Sequence, residues 1–157
     1  MDWKKASEEN KKSREAEADK KAAAANDEKT LKEGLGDLFN SFLNQIELGL
    51  QSFNKQVPAD HRVEHHLETP TRLLLEKKQS FPNGSATLTL DRTAHRINYT
   101  HVTIPQNVGL MGPVRWEGSL EIKVVDGQLV LHRGYQPLAI DENIIEEILG
   151  QWLREMA

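Results

Sequence analysis

The stretch "WEGSLEIKVVDGQLVLHRGYQP", residues 116–137, decides the fold. Leu120, Ile122 and Val124 alternate with Ser119, Glu121 and Lys123, and Leu129 and Leu131 repeat the alternation after Asp126-Gly127. Successive side chains of a strand point to opposite faces, so this pattern describes two half-buried strands. Asp-Gly suits a type I′ turn, whose two central residues both need positive φ. The segment therefore reads as an antiparallel hairpin with one face turned toward a core.

The same period runs N-terminally. "RLLLEKKQSF" (72–81) ends at the turn signal Pro82-Asn83-Gly84. "SATLTLDRTAHRINYTHVTI" (85–104) then alternates Leu88 and Leu90 against Thr87 and Thr89. The apolar parity changes between Ile97/Tyr99 and Val102/Ile104, which predicts a β-bulge or bend. "PQNVGLMGP" (105–113) reads as a loop, and its Gly109 and Gly112 lack the pattern of a phosphate-binding loop. C-terminal to the hairpin, Asp141 is the expected cap of a helix with Ile144, Ile145, Ile148, Leu149, Trp152, Leu153 and Met156 on one face. Glu142, Glu146 and Glu147 lie in its first turns, where the helix dipole favours negative charge, which accounts for the acidic C-terminal end without any function.

At the other end of the meander, "ADHRVEHHLETP" (59–70) contains His61, Glu64 and His65 in the spacing H-x-x-E-H. That spacing resembles the inverzincin metalloproteases, where a helix sets two zinc-binding histidines one turn apart and the glutamate activates water. Glu142 or Glu146 would have to supply the remaining carboxylate. A helix here would turn Val63 and Leu67 to the core and the histidines to water, the wrong way round for a partly dry metal cavity. As a strand, His61, Val63, His65 and Leu67 share a semi-apolar face, while Arg62, Glu64, His66 and Glu68 share a polar one. His61 and His65 would then lie about 13 Å apart, too far to share one ion. The strand is the favoured reading, with Val63 and Leu67 inward, and no metal is expected.

Ahead of it, Leu31, Leu35, Leu38, Phe39, Phe42, Leu43, Ile46, Leu50 and Phe53 recur at steps of three and four. They predict an amphipathic helix of about 25 residues that ends before Pro58. Its polar face carries only Lys32 and Lys55 as cations, fewer than amphipathic membrane binders use, so it is read as a cover for the sheet. Residues 1–27 are different. They are helix-prone Ala, Lys and Glu with no apolar stripe, and Trp3 is the one large apolar side chain after Met1. Asn26 or Asp27 marks an expected cap or break. The predicted organisation is an α+β domain over 28–157, with a charged helical arm over 1–27. In that domain a meander of about four to five antiparallel strands is covered on one face by the two amphipathic helices.

Composition narrows the function classes. There are no cysteines, which excludes disulfide frameworks and thiolate zinc sites and fits a cytoplasmic setting. No secretory signal or membrane-spanning run is read, so Asn83-Gly84-Ser85 and Asn98-Tyr99-Thr100 carry no weight as glycosylation signals. The net charge of -4 is far from the basic footprint of a dedicated nucleic-acid binder. Basic and aromatic residues do interleave on the meander: Arg92, His95, Arg96, Tyr99, His101 and Trp116 are the candidate binding residues, flanked by Arg115, His132, Arg133 and Tyr135. His95, Tyr99 and His101 share a parity and could line a pocket. No nucleophile elbow accompanies them.

Three expectations follow. The first is a non-enzymatic protein-interaction module, with the arm engaging a protein partner or a second copy of the chain. The second is a small ligand-binding or catalytic domain with a pocket between sheet and helices. The third is nucleic-acid binding through a basic and aromatic sheet face. No cofactor and no membrane partner are expected.

Overall fold

The computed structural model describes residues 2–106 and 112–157. The loop expected over 105–113 falls largely on residues outside that description. One helix, α1 (Trp3–Gln56), spans 54 residues. A single 3-10 turn (Ala59–His61) leads into seven strands: β1 (Glu64–Thr69), β2 (Arg72–Lys77), β3 (Asn83–Asp91), β4 (Arg96–Ile104), β5 (Val114–Val125), β6 (Gln128–Arg133) and β7 (Gln136–Leu138). The short helix α2 (Ile144–Met156) closes the chain. Every strand pairs antiparallel with its neighbours in sequence, in the order β1 to β7. The α+β class and the helix-covered meander hold, with more strands than expected. One extra strand arises because "QLVLHRGYQP" turns at Gly134, where φ is 59°, and returns as β7.

The hairpin at 116–137 forms as read. Asp126 and Gly127 both have positive φ, 51° and 75°, as a type I′ turn requires. Two other local expectations are corrected. No break occurs at Asn26 or Asp27. The Thr30 hydroxyl donates to the Asn26 carbonyl at 2.9 Å, and the pairs Glu28–Lys32 and Lys29–Glu33 follow in the next turn. Asn and Asp each lower helix propensity by less than about 0.7 kcal/mol, too little to stop a helix flanked by alanines and held by ion pairs. No bulge interrupts β4 either. Its pairing is continuous from Asn83↔Ile104 to Asp91↔Arg96 on one side and from Arg96↔Glu121 to Thr103↔Val114 on the other. The parity change is instead a change in chemistry, with polar His101 and Thr103 buried and Val102 and Ile104 on the open side.

The core lies between one sheet face and the two helices. Leu35, Phe39, Phe42, Ile46 and Leu50 of α1 meet Leu73, Leu75, Leu88, Ile97 and Leu120 of the sheet and Leu149, Trp152 and Met156 of α2. Close approach sets two glycines of α1: a Cβ on Gly34 would meet Leu129, and one on Gly49 would meet Ile145 of α2, both at 2.5 Å. The same helix leaves the core at its N-terminal end. From Asp2 to Lys29 every residue except Ala6 is exposed. At 1.5 Å per residue, that half projects about 40 Å from the body. Asp2 caps it by accepting the Lys5 N–H at 3.2 Å.

Helix α2 begins later than expected. Asp141 does not cap it directly; its carboxylate accepts the Asn143 N–H at 2.9 Å, and Asn143 takes the cap position.

The stretch at 59–70 is corrected in part. A strand does form, but from Glu64, and as the sheet edge it is exposed throughout. Val63 lies just before it and is buried, held by a paired contact in which its N–H donates to, and its carbonyl accepts from, the Asn54 amide, each at 2.9 Å. Leu67 pairs with inward Leu73, yet is 50% exposed on this edge strand. His61 sits in the 3-10 turn, not on the strand face of His65.

Candidate functional site

His61, Glu64 and His65 hold no metal arrangement. Among the described residues, no three His, Asp or Glu side chains group as metal ligands. His61 has another role. The Lys77 ammonium, 1% exposed, donates to the Met156 carbonyl at 2.6 Å and to His61 Nδ1 at 3.1 Å. His61 Nδ1 also lies 3.2 Å from that carbonyl, so both acceptors share the one ammonium. Lys77 thereby satisfies the C-terminus of α2 from beneath, as basic groups do at helix ends. Burial pushes its pKa below the ordinary lysine value, with Asp60 pulling the other way. This cluster is closed and structural. His65 pairs with Glu47 of α1 at 3.9 Å.

The sequence candidates divide into two groups. Tyr99, His101 and Trp116 come together, because β4 and β5 pair Tyr99 with Gly118 and His101 with Trp116 on the helix-facing side. Arg92, His95 and Arg96 do not join them. Arg92 and His95 lie in the β3–β4 turn, where the Asp91 carboxylate accepts the N–H groups of Thr93 and Ala94. His95 has φ 53°. Arg96 lies on the open face opposite Glu121. The basic and aromatic residues therefore do not interleave on one face: Tyr99 and Trp116 face α2, while Arg96, Arg115 and His132 face away from it. Tyr135 stands fully exposed in the β6–β7 turn.

Between β4–β6 and α2 runs a groove of about 380 Å³. Helical spacing puts Glu147, Gln151 and Glu155 in one row along α2, facing the sheet. Arg133, on the inward side of β6, donates to Glu147 through Nη1 at 3.3 Å and Nη2. The Thr103 hydroxyl donates to Glu155 at 2.6 Å. The Trp152 indole donates to the Val102 carbonyl at 3.2 Å and fixes α2 against β4. His101, 6% exposed, lies within this frame, and its ring is 6.5 Å from the Trp116 ring at 32°. A Cβ on Gly118 would meet the Tyr99 ring at 2.2 Å, so glycine there lets Tyr99 lie flat across β5.

The groove carries unpaired polarity. His101 Nδ1 and Arg133 Nε are buried without a hydrogen-bond partner. An unsatisfied buried group costs about 1–3 kcal/mol. Burial lowers the His101 pKa below the ordinary histidine value, opposed by the Glu155 carboxylate. The imidazole is therefore neutral at pH 7, able to donate from one nitrogen and accept at the other. Sequence reasoning noted Arg133 only as a flanking residue and missed Glu147 and Gln151 of the groove lining, with Thr103 and Glu155 bonded beside it. The polar pair His101 and Thr103 at inward parity was the signal that could have found them.

Comparison of the chain with protein-family models, with curated proteins and with solved structures gives no match.

Proposed function

We propose that the protein is an interaction module whose binding element is the N-terminal half of α1, with the folded α+β body as its base. One observation carries this reading: the helix continues without a break from the packed core through Trp3–Lys29, all exposed except Ala6. A helix of this polarity gains nothing from the body beyond nucleation, since it touches no core. What it offers a partner is an ordered, charged rod with Trp3, 73% exposed, at its tip.

The charge order favours a second copy as that partner. Lys4-Lys5, Glu8-Glu9, Lys11-Lys12, the acidic group Glu15, Glu17 and Asp19, and then Lys20-Lys21 alternate in sign. Two parallel rods in register would set like charges together. An antiparallel pair centred near Arg14-Glu15 brings Glu8-Glu9 beside Lys20-Lys21 of the other rod, and such pairing selects orientation more than it adds affinity.

The test removes residues 1–26, so that Asp27 becomes the helix cap. Sedimentation velocity of the full chain should show a concentration-dependent dimer that the truncated protein lacks, while the truncated body keeps its cooperative unfolding. Unfolding of the truncated body, or an unchanged association state, would overturn the proposal.

A further inference from the structure

The groove beneath α2 is independent of the arm and carries an inference of its own. We propose that it is a binding site for a small, neutral, planar aromatic molecule bearing a carbonyl-type hydrogen-bond acceptor. Trp116 sits on the helix-facing side of the sheet, where neighbouring positions such as Leu120 are fully covered, yet the residue is 50% exposed. The register that brings Trp116 beside His101 also lays Tyr99 over Gly118, so the sheet side of the groove presents three rings, facing the polar row of α2. Ring walls favour planar guests in offset or edge-to-face contact. The volume of about 380 Å³ is within the range that small-molecule sites occupy.

Two further features set the chemistry. His101 is more than nine-tenths buried, and its Nδ1 and the Nε of Arg133 have no partner, although both residues line the groove. Arg133 Nε always bears a proton, so what is wanting at that end of the groove is an acceptor. Formal charge, by contrast, is already balanced. Arg133 pairs with Glu147, Arg154 with Glu146, and Glu117 with Arg115. A charged guest would have to break one of these pairs, whereas a neutral carbonyl or amide would not.

Benzamide is a suitable probe, with benzoate as the anionic and cyclohexanecarboxamide as the non-planar control. Titration of the full chain is followed by the indole N–H and histidine ring signals in NMR. The chain has three tryptophans, and the signals of Trp116 and His101 should shift saturably while those of Trp3 and Trp152 stay in place. Both controls should bind about tenfold more weakly, as loss of a ring contact or of charge balance implies. Trp116→Ala removes an exposed ring and so should leave the fold intact while abolishing the shift at His101. No saturable shift, equal affinity for the non-planar control, or unchanged binding in Trp116→Ala would each overturn the proposal.

Discussion

The two halves of α1 share one backbone and nothing else. From Leu35 onward the helix is held by what it covers, with Phe42 and Ile46 wholly buried against the sheet. Before Thr30 it is held by alanine propensity and by its continuity with the packed half, and the ion pairs Glu28–Lys32 and Lys29–Glu33 lie where the two halves meet. Tertiary burial and local propensity can thus extend the same element, but only the first contributes to the stability of the body. The difference teaches that helix length in this chain is no measure of how firmly a segment is fixed.

Substitutions should separate the halves sharply. Phe42→Ala opens a cavity in the buried half and should cost about 3–5 kcal/mol in denaturant unfolding. A loss below about 1 kcal/mol would mean that the core collapses around the gap. Lys77→Met tests whether the body also depends on polar closure. It leaves the Met156 carbonyl and His61 without their donor and should cost about 1–3 kcal/mol. A neutral or stabilising result would show that desolvating the ammonium outweighs its bonds.

His101 should give the body a smaller, pH-dependent component. Its pKa is lower folded than unfolded, so between the folded value and about 6.5 the unfolded chain binds more protons. Stability should therefore rise with pH across that window and be lost as pH falls through it. Thermal midpoints measured from about pH 5 to about pH 7.5 should show the slope, and His101→Asn should flatten it. An unchanged slope in that variant would assign the effect to other groups. The smallest effect is expected in the exposed half. Ala16→Pro breaks the rod locally and should reduce far-UV helicity, yet shift the unfolding of the body by no more than about 0.5 kcal/mol. A larger shift would erase the contrast between the halves.

Much of this architecture was legible in the sequence. Period-two alternation and the Asp126-Gly127 turn specified the hairpin, and the apolar stripes of α1 and α2 specified which of their own faces turns to the sheet. The errors have separate physical origins. Asn26-Asp27 looked like a stop because residue preferences were weighed singly, whereas the surrounding alanines and charge pairs act together. Leu67 looked buried because alternation reports a face but not whether each position on that face is covered. The supposed bulge in β4 arose from assuming that apolar residues always face inward. His101 and Thr103 break that rule at the place where the groove lies, and a local rule broken without strain is a common mark of a site. Glu147 and Gln151 could not be assigned to the groove from sequence, because nothing in a helical period tells which strand lies opposite.

Because each strand pairs with the one before it, the sheet can grow one hairpin at a time. Each step closes a short loop at small entropic cost. The contact of Gly49 with Ile145 is of another kind, since it joins the segment before the sheet to the segment after it. This long closure is the step that must wait for the sheet, and contacts of high sequence separation are the ones that slow folding. Residues at this seam would then act chiefly on how long the native state persists, and those of the 116–137 hairpin on how quickly it is reached.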